Sequence, residues 1–191
     1  MKYGELNLGQ IEAVINKLGG MDGVMQFLAD KSVTPPLLGF ITVVKVPAVK
    51  QFVASDYFKH GEVVDGVMCY LLDNFQKQFG QRVDENVDEC DIRIHKLLRN
   101  SRDLGIRAEI TEEREETKLA HLWHLLTLQP NGENGTLLTN GSANIFRIRD
   151  TEGTLWVVDA FWRSGRRGWR LGASSVGSLR EWCNGNLVYS R

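Results

Sequence analysis

Residues 155–175 read LWVVDAFWRSGRRGWRLGASS, three tryptophans and four arginines in one short stretch, and their arrangement decides how the C-terminal part folds. Two runs rich in β-branched and aromatic residues flank Ser164-Gly165-Arg166-Arg167, a turn composition, so the stretch predicts a β-hairpin. With four residues in the turn, Arg163 faces Gly168, Trp162 faces Trp169 and Phe161 faces Arg170. Directly opposed residues share a face of the sheet, which sets side-chain direction along both strands.

Upstream, residues 144–149 predict a third strand of the same antiparallel meander, joined through Asp150-Thr151-Glu152-Gly153. In this register one face carries Phe146, Ile148, Leu155, Val157, Asp159 and Phe161, with Arg163 and Arg170 toward the hairpin tip. The other carries Arg147, Arg149, Trp156, Val158, Ala160, Trp162, Trp169 and Leu171. A two-residue loop in the first hairpin keeps this parity, and a three-residue loop reverses the first strand. The first face is the expected main core, with Asp159 needing a partner if buried and Arg170 diagonal to it. The second is too apolar to leave in water. Arg147, Arg149, Trp156, Trp162 and Trp169 are therefore the candidate binding residues, a contact face for a second subunit or a small ligand; the alternative is that a second layer of the same chain covers them.

A helix is expected over Glu112–Leu128. Thr111 is its N-cap, and Glu112, Glu113, Glu115 and Glu116 sit where a helix N-terminus carries partial positive charge. Leu119, Leu122, Trp123 and Leu126 form an apolar stripe that would cover the first sheet face, with Glu113, Thr117, His121 and His124 opposite. His121 and His124 are three residues apart on one helical face, a spacing that can converge on a metal ion. No third ligand accompanies them and the HExxH arrangement is absent, so no metal is expected. The enzymatic alternative is a small hydrolase using His121 and His124, with Asp159 the further polar residue to test; a Ser174 or Ser175 nucleophile with His121 and Asp159 is disfavoured because the spacing in GASSVG does not meet the GxSxG pattern.

The N-terminal residues 7–31 predict a helical hairpin. Asn7 and Gln10 form a capping-box pattern, Ile11, Val14, Ile15 and Leu18 recur at helical spacing, Gly19-Gly20 supplies a left-handed stop, and Asp22 caps a second helix. That second helix carries no Lys or Arg, which disfavours it as a DNA-reading helix. In the middle, FITVVKV before Pro47, the run Val63–Leu72 with Gly66 as a bulge, and the alternating DIRIHKLL predict strands, and Asp73 opens a short helix with Phe75 and Phe79 on one face. The fold class expected is α+β: an N-terminal helical hairpin over 1–34 as a packed appendage, and a domain over 35–191 with a mixed centre and a C-terminal antiparallel meander on a long helix.

A chain of 191 residues with 42% hydrophobic and 25% charged residues has the composition of a globular domain. Its net charge of −1 argues against global attraction to nucleic acid or anionic membranes. Residues 144–191 alone carry eight arginines against four acids, so single-stranded nucleic acid on the tryptophan face is an alternative function but an unfavoured one. Cys69, Cys90 and Cys183 are scattered and odd in number, which fits a reducing cytoplasm better than a disulfide framework. The longest apolar run is broken by Gly39 and Lys45, short of the roughly 20 residues that cross a membrane, so no membrane association is expected. Neither GxGxxG nor GxxxxGK[ST] occurs, and no cofactor is expected. The loop LQPNGENGTLLTNGSANIF is long and turn-rich, which makes Asn140–Asn144 of functional interest.

The segments LNLGQIEAVINKLGGMDGVMQFL, YFKHGEVVDGV, NGENGTLLTNGSANIF and GWRLGASSV together resemble an uncharacterised family of small environmental-bacterial proteins, of the kind found in metagenomes and integron gene cassettes. The resemblance spans most of the chain and brings no catalytic residue. It implies a free-standing cytoplasmic accessory protein, a small homo-oligomer with a ligand pocket.

Overall fold

Gly19 and Gly20 adopt φ of +89° and +82°, the left-handed geometry that stops one helix and lets the chain reverse into the next. They separate α1 (Leu8–Lys17) from α2 (Gly20–Asp30), the expected hairpin. The structure, a computed structural model, describes residues 8–17, 19–30, 35–110 and 112–191; Asn7 and Thr111, the two expected caps, lie outside the described residues. The chain divides into a unit over Met1–Pro36, which holds this hairpin, and a second over Leu37–Arg191.

The second unit is α+β. It opens with β1 (Leu38–Val46) and β2 (Val49–Val53), then a short turn of helix, α3 (Ala54–Tyr57). Next come β3 (Val63–Val64) and β4 (Val67–Leu71). The run Val63–Leu72 is thus not one bulged strand: Asp65 and Gly66, at φ +47° and +82°, form a tight turn whose two left-handed residues match strand twist. Helix α4 (Asp73–Phe79) buries Phe75 and Phe79 as their spacing requires. Strands β5 (Val83–Val87), β6 (Cys90–Leu97) and β7 (Ser101–Arg102) precede α5 (Asp103–Glu109) and α6 (Glu112–Glu115). Helix α7 (Leu119–Thr127) is followed by β8 (Asn144–Arg149), β9 (Leu155–Arg163), β10 (Gly168–Ser175), β11 (Glu181–Trp182) and β12 (Leu187–Ser190).

The single helix expected over Glu112–Leu128 is two. Thr117 leaves the helical path to bond β8, its N–H and hydroxyl both donating to the Arg147 carbonyl at 2.7 and 3.0 Å. The chain re-enters a helix at Leu119, where the Asp84 carboxylate accepts the Leu119 and Ala120 N–H groups at 2.9 and 3.4 Å. This distant carboxylate caps α7.

Eight strands make one mixed sheet in the order β1-β6-β12-β8-β9-β10-β4-β3, while β2–β5 and β7–β11 are separate ladders. The β9–β10 register is the one the hairpin sequence predicts: Arg163 opposite Gly168, Trp162 opposite Trp169, Phe161 opposite Arg170. The β8–β9 register is displaced by one residue, because Arg149 pairs with Leu155 across a five-residue loop. Asp150 builds that loop: its carboxylate accepts the Glu152 and Thr154 N–H groups, each at 2.9 Å, and the Trp156 indole N–H at 2.7 Å. A one-residue slip flips every side chain. Phe146 and Ile148 therefore share a face with Val158 and Trp162, and Arg147 moves to the face of Val157 and Asp159.

This flip reverses which face is the main core. Leu119, Leu122, Trp123, Leu125 and Leu126 of α7 pack in one apolar cluster with Phe146, Ile148, Trp162, Trp169, Ile94 and Tyr189, so the helix lies on the tryptophan face. The opposite face has a smaller cluster, in which Ile106 of α5 meets Ile145, Val157, Val188 and Trp182.

Candidate functional site

The five candidate binding residues do not form one open face. Trp169 is fully buried and donates its indole N–H to the Gln129 carbonyl at 3.3 Å. Trp162 is buried beside it, edge to face at 5.3 Å, and Trp156 is half-buried against the same cluster. A second layer of the same chain covers this face, which leaves no platform of free indoles for bases to stack on. Arg147 is on the other face, fully buried and paired to Asp103 at 2.5 Å. Arg149 is exposed and bonded to Glu116 at 2.8 Å and the Gly153 carbonyl at 2.7 Å. The five-residue Asp150 loop puts Arg147 and the tryptophans on opposite sides of the sheet, where a four-residue loop would have put them on one.

The histidine pair also divides. His121 is buried rather than on a polar face, because α7 is apolar almost all round. Its Nδ1 accepts the Lys118 N–H at 3.1 Å, which places the ring proton on Nε2, 3.5 Å from the Cys90 sulfur. Burial lowers its pKa to about 4, and burial also raises the Cys90 thiol. The imidazole thus offers the sulfur a proton instead of accepting one, the reverse of what activates a thiol nucleophile. These two groups border a cleft of about 320 Å³ with Arg82, Lys118 and Arg191 facing Asp84 and Glu89. His124 is half-buried and is not among the residues bordering the cleft. Asp159 is on the opposite sheet face, held by Arg180 at 2.9 Å and Arg170 at 3.5 Å; burial outweighs both cations and raises its pKa. Its Arg170 partner is the one the sequence geometry predicts. No group of three or more His, Cys, Asp or Glu among the described residues is placed to hold a metal ion.

A groove of about 510 Å³ opens at the β1–β6–β12 end of the sheet face that α7 covers further along. Thr42 pairs with Ile94 and Leu187 with Lys96, so these side chains share the floor. Ile41, the extra residue of a β-bulge in β1, stands at the rim. The far wall is the loop 135–142, which contributes Thr136, Leu138, Asn140 and Ser142.

Buried amides make that loop rigid. The Gln129 side chain accepts the Leu137 N–H at 2.7 Å and donates to the carbonyls of Glu133 and Leu137 at 2.7 and 3.1 Å. Asn144 accepts the Leu138 N–H at 2.8 Å and donates to the Leu138 and Ala160 carbonyls. The Tyr189 hydroxyl donates to the Thr136 carbonyl, 2.6 Å away. Lys96 is the one charged side chain in the groove, and among the described residues it makes no ion pair. Among the described residues the groove is lined by no imidazole, thiol or carboxylate.

No protein-family model, curated protein or solved structure matches the chain. The residues of the site carry the functional argument alone. Sequence reasoning marks Asn140–Asn144 through the loop's turn chemistry but misses Lys96, Thr136, Leu138 and Asn184. Lys96 sits in a strand whose alternation gives it a face and no function, and Asn184 reaches the groove from a segment 44 residues beyond Asn140.

Proposed function

We propose that this protein is a non-catalytic binding protein for a small amphipathic anion, an apolar body bearing one carboxylate, taken up in the groove between the sheet and loop 135–142. The observation that carries the reading is the lining: Ile41, Ile94, Leu138 and Leu187 line the groove together with neutral hydroxyls and amides and with Lys96, whose ammonium makes no ion pair among the described residues. Binding sites for small molecules have this composition, an apolar wall with a few convergent polar groups. The amides of Gln129 and Asn144 fix the wall beforehand, which lowers the ordering cost of binding. Hydroxyls with no base beside them support holding a ligand over transforming it.

The test is a thermal-shift and calorimetry series with medium-chain and aromatic carboxylates, each paired with its uncharged amide. Lys96→Met weakens the carboxylates about tenfold or more and leaves the amides unchanged. Equal binding of acid and amide to the native chain, or no ligand in the series binding, refutes the proposal.

Self-association is a second reading, favoured by one feature. Phe40, Ile41 and Val43 are 57%, 49% and 40% exposed on β1, a nine-residue edge strand paired on one side only among the described residues. A long apolar edge templates pairing with another strand, here the β1 of a second copy. Light scattering behind a sizing column reads it: Val43→Lys dissociates a dimer formed this way, and a native chain that runs as a monomer removes this reading.

A further inference from the structure

The β9–β10 turn gathers cations at a second cavity, distinct from the groove. Arg163 ends β9, Arg166 ends the 3₁₀ turn Ser164–Arg166, and Arg170 lies in β10. The parallel β10–β4 ladder places Arg170 opposite Tyr70. Gly168 permits this close approach: a Cβ there would meet the Met68 side chain at 2.7 Å and the Tyr70 ring at 2.8 Å. The Tyr70 hydroxyl then ties down the turn by donating to the Arg166 carbonyl at 3.1 Å.

The result is a pocket of about 260 Å³ bordered by Arg163, Arg166, Arg170, Tyr70 and His60, with no carboxylate of the described residues on its wall. Two guanidiniums are held in place by rings, Arg166 over Tyr70 at 5.5 Å and Arg170 over Phe161 at 4.6 Å. Arg163 and Arg166 make no ion pair among the described residues. Arg170 has Asp159 3.5 Å behind it, yet its Nε is shielded from solvent with no hydrogen-bond partner among the described residues. The His60 Nδ1 is engaged by the Leu71 backbone, which leaves Nε2 as the ring's unengaged nitrogen.

We propose that this pocket binds the phosphoryl group of a small phosphate ester. Three like charges around one cavity repel until a multiply charged anion enters. A phosphoryl group offers three oxygens and up to two negative charges to several guanidinium forks at once, against the two oxygens and single charge of a carboxylate. The pocket volume suits a phosphate with a short body. A polynucleotide is the weaker match, because Trp162 and Trp169 are buried and the Tyr70 ring is already engaged by Arg166 and His60.

The experiment is calorimetric titration of the full chain with inorganic phosphate, pyrophosphate and sulfate, alongside a short single-stranded oligonucleotide. Pyrophosphate binds, and Arg163→Gln and Arg166→Gln each weaken it about tenfold while Arg99→Gln, an exposed charge outside the pocket, leaves it unchanged. Both pocket arginines are exposed, so their variants keep the native melting curve, and Arg166→Lys gives a partial loss because it retains charge without the planar fork. The proposal is overturned by the native chain failing to bind any phosphate, by Arg99→Gln weakening binding equally, or by sulfate binding as tightly as pyrophosphate. It is overturned likewise by the oligonucleotide outcompeting pyrophosphate through the same arginines. Lys96→Met leaves all these titrations unchanged, so the outcome is independent of the groove.

Discussion

Asp103→Ala tests whether Arg147 is a core residue or a ligand contact. Arg147 is fully buried in β8, Asp103 nearly so at the start of α5, and among the described residues the pair at 2.5 Å is the one hydrogen bond of the Arg147 side chain. Its Nε and Nη1, and the second Asp103 oxygen, have no hydrogen-bond partner among the described residues. Removing the carboxylate strands a whole guanidinium between the sheet and α5, a change that costs about 3–5 kcal/mol in buried pairs of this kind. For the unit Leu37–Arg191 an entropy of unfolding of about 0.3 kcal/mol per degree turns this into a fall in Tm of about 9–15 °C. The double variant Asp103→Leu/Arg147→Met removes both charges and returns to about native stability, since the pair's desolvation cost offsets much of its attraction. Thermal and urea unfolding of the single and double variants give the coupling directly. An Asp103→Ala loss of under about 1 kcal/mol, the scale of exposed pairs, would refute the buried-pair account. So would a double variant no more stable than the single.

Three further outcomes follow from the same packing. His121 has a folded pKa of about 4 against 6.5 for the free side chain, so as pH falls below 6.5 the unfolded chain takes up the proton first. The stability it contributes is present above that pH and is lost progressively down to about pH 4, about 3 kcal/mol in all, so urea midpoints fall over this window in the native chain and much less in His121→Gln. Gly132→Ala puts a Cβ 2.1 Å from the Trp162 ring at a backbone φ of +73°, and destabilises by about 2–4 kcal/mol from overpacking plus backbone strain, read as a lower urea midpoint. Trp169→Ala costs about 3–5 kcal/mol by opening a cavity under α7, whereas the half-buried Trp156 costs less; equal small losses with ligand binding abolished in both would restore the open-face reading.

The sequence made the local pieces readable wherever one periodicity governed several residues. The β9–β10 register follows from a four-residue turn, the α1–α2 hairpin from Gly19-Gly20, and the burial of Phe75 and Phe79 from a four-residue spacing. It failed where a single side chain far away decided the outcome. Asp150 lengthens the first hairpin loop by closing on Trp156, Asp84 starts α7 where the local acids point to an earlier start, and Thr117 breaks the helix to reach β8. The strand β12 has four residues, too few for alternation to show, yet it sits between β6 and β8 and joins two halves of the sheet. The groove depends on that strand, because Leu187 and Lys96 face each other only once β12 is beside β6.

Why the groove lies at that end follows from dimensions. A helix of nine residues is about 14 Å long, and eight strands at about 4.8 Å spacing span over 30 Å, so α7 cannot cover one face of the sheet alone. At the β10–β4 end α4 takes up the remainder, with the Asn74 amide donating to the Ala173 carbonyl and Phe75 and Phe79 adding to the core. At the β1–β6–β12 end no second helix among the described residues of Leu37–Arg191 joins the core cluster of this face, and the covering falls to loop 135–142. The loop is tied to the sheet by Asn144 of β8 and Tyr189 of β12 and buries Leu137 in the core, but as an irregular segment it covers Ile94 and Leu187 less closely than a helix does. The Gln129 and Asn144 amides satisfy the loop backbone at Glu133, Leu137 and Leu138, so the loop keeps this position beside the groove without the internal hydrogen bonds of a helix. Filling the space from the loop side, with Ser142→Leu, therefore raises the melting temperature by burying apolar surface and weakens carboxylate binding in the same variant; a gain in stability with binding unchanged would place the ligand elsewhere.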